Sequence, residues 1–114
     1  MAEDLTPDQY GQVLEEMTPI LVDTLTLDSQ VYSELLQSRL YNHNMVSTIR
    51  TQPTFSQKVK EVNHFLVEKL KENTNNFNTF CHVLTSTGQG PISNMLKQAV
   101  RRRIKELKAA EADP

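Results

Sequence analysis

The sequence predicts an all-α fold, a six-helix antiparallel bundle, on three observations. Apolar residues recur at three- and four-residue steps in six successive segments, and no segment alternates as a half-buried strand would. Gly and Pro are few, three and five, and punctuate the pattern at its joints. The 114 residues suffice for one core that hides roughly two-thirds of an extended chain's surface, and leave no room for a second. One bundle over residues 6–109 is expected, with flexible tails at 1–5 and 110–114.

Thr6-Pro7 offers an N-cap followed by proline at the first helical position, and Tyr10, Val13, Leu14 and Met17 then mark one apolar face. Pro19 interrupts this helix, yet Ile20, Leu21 and Leu25 continue the stripe and Thr18-Pro19 repeats the cap-then-proline signal. A first helix kinked or split at Pro19 is therefore expected.

Asp28 can cap a second helix with Val31, Leu35, Leu36 and Leu40 inward. A short third follows the Asn42 to Asn44 turn with Met45, Val46 and Ile49, and Gln52-Pro53 closes it. Thr54 and Gln57 form a T-x-x-Q capping box, after which Phe55, Val59, Val62, Leu66 and Leu70 define the inner face of helix four.

Beyond the polar Asn73 to Asn76 turn, Phe77, Phe80, Cys81 and Leu84 give helix five, which stops at Gly88 and Gly90. Pro91 opens helix six, where Ile92, Met95, Leu96, Ala99, Val100, Ile104 and Leu107 hold one side. Lys97, Arg101, Arg102, Arg103, Lys105 and Lys108 crowd the other side and the end.

The net charge of −2 conceals a dipolar sequence. Residues 1–38 carry eight acids (Glu3, Asp4, Asp8, Glu15, Glu16, Asp23, Asp28, Glu34) and no Lys or Arg, whereas the remainder carries twelve bases against six acids, +6. Such separation is satisfied inside the molecule, by acidic helices beside basic ones, or between molecules, when the acidic face of one meets the basic face of another.

Catalytic signatures are missing: no Gly-rich phosphate loop, G-x-S-x-G, H-E-x-x-H or zinc-finger pair occurs, so neither an enzyme nor a bound cofactor or metal is expected. Cys81 sits beside His82, but helix neighbours point about 100° apart, and its spacing with Phe77, Phe80 and Leu84 places the thiol in the core. His64 and His82 read as surface or boundary residues. A single cysteine and an acidic start without an apolar run point to a cytoplasmic protein, and no stretch is long enough to span a membrane.

The basic cluster at Arg101, Arg102 and Arg103 could touch phosphate or serve as a nuclear address, which leaves a small nucleic-acid-binding bundle as the alternative function. Net acidity and the lack of aromatic residues interleaved with these bases argue against nucleic acid.

An ordered set of positions resembles the caspase recruitment domain, or CARD, a six-helix member of the death-fold superfamily whose first helix is typically broken. The set is Ser33-Glu34-Leu35-Leu36 in helix two, Phe55-Ser56-Gln57 with Val59 opening helix four, Phe77-x-x-Phe80-Cys81 with Leu84 in helix five, and Leu96 in helix six. It covers about residues 10–100 and is most like the pro-domain of an initiator caspase of the caspase-two type. Asn73 stands where the family often has glycine, and the first helix is purely acidic where the family's is often basic.

The resemblance implies homotypic binding to another CARD-containing protein, a caspase or adaptor in apoptotic or inflammatory signalling, with head-to-tail homo-oligomers as a possible product. The family's commonest contact sets a basic surface on helices one and four against an acidic surface on helices two and three. This carries over only in part: Lys58, Lys60, Lys69 and Lys71 supply a basic helix four and Asp28 with Glu34 an acidic helix two, but Arg39 and Arg50 flank the latter and Glu15 with Glu16 adjoin the former. The expected partner-binding charges are therefore an acidic set (Asp28, Glu34, Asp23, Glu15, Glu16) and a basic set (Lys58, Lys60, Lys69, Lys71, Arg39, Arg50), with helix six as a further face.

Overall fold

A computed structural model describes residues 5–112. The order is α1 (Pro7–Thr24), α2 (Ser29–Gln37), α3 (His43–Arg50), α4 (Phe55–Glu72), α5 (Asn76–Ser86) and α6 (Gly90–Ala112), with no strand among the described residues. α4 is the central rod, flanked by α1, α3 and α5, while α6 lies along α5 and α1, and α2 closes the far side on α5 and α3.

α1 begins with a complete capping box: Gln9 N–H donates to Thr6 Oγ1 at 3.2 Å, and Thr6 N–H donates to Gln9 Oε1 at 2.9 Å. The helix is not split at Pro19; it runs as one span through the proline. Thr18 starts no second helix, because its hydroxyl donates back to the Leu14 carbonyl at 2.8 Å. Asn63 Nδ2 on α4 donates to that same hydroxyl at 3.2 Å, so α4 braces α1 beside the position where Pro19 withholds an N–H. Leu21 and Leu25 continue the buried stripe as expected, but Ile20 does not: it is 42% exposed.

Asp28 caps α2 through Oδ1 and the Val31 N–H at 3.0 Å, and Asn42 caps α3 through the Met45 N–H at 2.9 Å, so that helix starts inside the expected Asn42 to Asn44 turn. α2 stops on Arg39, whose φ of +62° is the left-handed conformation that glycine usually supplies. Thr54 accepts from the Gln57 N–H at 3.2 Å, but Gln57 Oε1 receives the Thr54 hydroxyl at 3.0 Å, so only half of the expected capping box forms. Asn73, in extended backbone at φ −163°, ends α4 without needing a glycine.

α5 ends in a Schellman turn: Gly88 takes φ +85°, Gln89 N–H donates to Leu84 O at 2.7 Å, and Gly88 N–H donates to Thr85 O at 3.2 Å. The core gathers Val13, Leu14, Leu35, Ile49, Val59, Leu66, Leu84 and Leu96 from all six helices. Tyr41 also enters it, donating its hydroxyl to the Val62 carbonyl at 2.5 Å with its ring edge-on to Phe65. Leu5, expected in a flexible tail, is 3% exposed and part of the core, and α6 continues past residue 109 to Ala112. Residues 1–4 and 113–114 of the expected tails lie outside the described residues.

Candidate functional site

The charged sets named from the sequence divide into paired and unpaired groups. Glu16 joins Arg103, which also donates to Gln12 Oε1 at 3.2 Å, so one acid of α1 and one base of α6 tie those helices together. Arg103 is thereby drawn off the basic run: it is half-buried against α1 while Arg101 and Arg102 stay exposed. The expected run of three solvent-facing arginines is corrected to two.

Lys71 pairs with Glu68 at 2.8 Å and Lys69 with Glu72 at 3.6 Å, both within α4, which lowers their value to an outside acid. The Lys71 hydrogen bond holds the Glu68 carboxyl below its ordinary range, and Glu68 raises the Lys71 ammonium in return. Asp28 is engaged as the α2 cap.

Among the described residues, Asp23, Glu34, Glu15, Lys58, Lys60, Arg39, Arg50, Arg101 and Arg102 of these sets have no ion-pair partner. All are exposed or half-buried, so these members of the sets are available to a second molecule. Glu15 and Lys60, assigned to opposite sets, line one groove between α1 and α4 of about 540 Å³. The two helices pack closely and antiparallel beneath it: a Cβ at Gly11 would meet Val67 at 3.4 Å, and Thr18 meets Asn63 farther along.

A second cleft of about 630 Å³ lies between α2 and α3, lined by Tyr32, Leu36, Val46, Arg50 and several hydroxyl side chains. The Arg50 guanidinium sits 5.5 Å from the centroid of the Tyr32 ring, a cation–π distance. Burial raises the Tyr32 phenol, with the Arg50 charge opposing and Asp28 adding to the shift. An acid and a base of the two expected sets thus share this end of α2, so the α2–α3 surface is not purely acidic. Arg39 stands exposed on the left-handed turn after α2.

No family model, curated protein or solved structure matches this chain.

Cys81 is fully buried, and burial pushes its thiol up, opposed in part by the Ser93 hydroxyl; a raised thiol is a poor nucleophile. His64 and His82 are exposed. No group of His, Cys, Asp or Glu able to hold a metal ion occurs among the described residues, and none of their helices is long and apolar enough to cross a membrane. Sequence reasoning missed three features: the exposure of Ile20, the Tyr32 ring beneath Arg50, and Gln89, a buried amide that joins two loops. Only Ile20 carried a signal, since it adjoins a proline at a point where the apolar stripe is wider than one face.

Proposed function

We propose that the chain is a caspase recruitment domain of the death-fold superfamily that binds another CARD through complementary charged faces. In this reading it recruits or oligomerises a caspase or adaptor in apoptotic or inflammatory signalling. The observation that carries it is the set of unpaired charges, among them Asp23 and Glu34 on α1 and α2, Arg50 on α3, and Lys58, Lys60, Arg101 and Arg102 on α4 and α6. Support also comes from the resembling residues, since Leu35, Val59, Phe77, Phe80, Cys81, Leu84 and Leu96 all fall in one core. The unbroken α1 departs from the family's usual first helix.

The mechanism is a rise in local concentration, which turns the meeting of attached or associated protease domains into a nearly intramolecular event. The charges set encounter rate and partner choice. Each exposed pair is worth at most about 1 kcal/mol, so firm binding requires several contacts repeated in an oligomer. A contact between unlike faces is head-to-tail and propagates as a ring or filament instead of closing as a twofold dimer.

The test is charge reversal. Lys58→Glu with Lys60→Glu, or Glu34→Lys, abolishes binding to a partner CARD while far-UV circular dichroism keeps its helical signal. Reversed chains that bind as the wild type does would remove these faces from the interface.

A further inference from the structure

Two features stand out once the internal pairs are set aside. One is the cleft between α2 and α3, whose floor is Tyr32, Leu36 and Val46 and whose cation is Arg50. Among the described residues the Arg50 guanidinium has no carboxylate or carbonyl acceptor, so its N–H donors are available above an apolar floor. The other is the last turn of α1, where Ile20, 42% exposed, and Asp23, exposed and without an ion-pair partner, lie three residues apart and so share one side of the helix.

We propose that the α2–α3 cleft is a docking site for a second copy of this chain, which inserts Ile20 over Tyr32, Leu36 and Val46 and sets its Asp23 carboxylate on Arg50. The inference rests on the recruitment reading and deepens it by naming partner and contact. An apolar side chain beside a carboxylate is the complement of an apolar floor beside an unpaired guanidinium, and one sequence carries both halves. Arginine over an aromatic ring, desolvated by an apolar anchor, is the kind of centre that dominates protein interfaces. The Arg50 fork also suits bidentate capture of a carboxylate.

The polarity is the reverse of the family's commonest contact: the first helix supplies the acid and the α2–α3 face the base. That accounts for an α1 with no Lys or Arg, an unexpected composition if this helix had to supply the basic half.

Sedimentation velocity over a concentration series of the full chain tests the contact. Wild type gains mass with concentration. Arg50→Glu, Asp23→Arg and Ile20→Ser each weaken self-association by about tenfold or more, the effect of losing a central contact. Mixing the Arg50→Glu chain with the Asp23→Arg chain restores association, because the intact α1 end of the first meets the intact cleft of the second; a control at Glu106→Arg changes nothing. A wild type that stays monomeric, single variants that associate normally, or a mixture that stays as weak as its parts would overturn the proposal. Each of these leaves binding to a different CARD to be judged by its own experiment, so the two readings fail separately.

Discussion

The side-chain amide of Gln89 and the backbone of Thr26 form a two-point pair: Thr26 N–H donates to Gln89 Oε1 at 2.8 Å, and Gln89 Nε2 donates to the Thr26 carbonyl at 3.1 Å. The pair clasps the α1–α2 loop to the α5–α6 turn, across 63 residues of sequence. Gly88 makes it possible, since its left-handed turn directs Gln89 inward, where it is 7% exposed. Gln89→Leu leaves two backbone groups without partners and is expected to destabilise the fold by about 1–3 kcal/mol, measured by urea denaturation.

Arg39 predicts the opposite sign. A left-handed non-glycine residue costs roughly 1–2 kcal/mol, and glycine returns about 0.4–1 kcal/mol of that through greater freedom of the unfolded chain. Arg39→Gly is therefore expected to stabilise the protein by up to about 1 kcal/mol, seen as a higher denaturation midpoint at unchanged slope.

Asn63 is buried with Nδ2 bonded to Thr18 and Oδ1 without any hydrogen-bond partner. The assignment of oxygen and nitrogen follows from Thr18, whose hydrogen is already given to Leu14. Removing an unsatisfied acceptor offsets the loss of the bond to Thr18, so Asn63→Leu is expected to lie within about 1 kcal/mol of wild type. A loss above that would show that the bond to Thr18 outweighs the cost of the unsatisfied acceptor.

Alkaline pH should weaken the fold in two stages. Burial raises the Cys81 thiol and raises the Tyr41 phenol well above 10, so the folded state keeps both protonated when the unfolded chain has begun to lose them. Stability is full below the unfolded thiol value of about 8.5 and falls as pH rises past it, then falls further above the unfolded phenol value of about 10. Denaturation midpoints from pH 7 to 10.5 check this. Cys81→Ala should remove the first stage and leave the second.

Much of the fold was legible because it depends on local chemistry. Asp28 and Thr54 were readable as caps, and the inward faces of α4 and α5 follow from spacing alone, with Val59, Val62, Leu66, Phe77, Phe80, Cys81 and Leu84 all buried. What stayed hidden depends on tertiary neighbours. Pro19 reads as a break until Asn63 is seen bracing Thr18 from α4, and Arg103 reads as one more surface base until Glu16 and Gln12 are seen beside it. The same holds for the site: the acids and bases could be listed from the sequence, but which were already paired, and that Glu15 and Lys60 share a groove, required the packing of α1 against α4 and α6.

Recruitment through charged faces is tested most directly by size-exclusion chromatography with light scattering, at low and high salt, of the chain alone and mixed with a panel of CARDs. The account predicts a complex with at least one member at about 50 mM salt that dissociates by about 500 mM, as screening shortens the reach of exposed charges. A chain that ignores every CARD at either salt, or whose complex is indifferent to salt across that range, would contradict it.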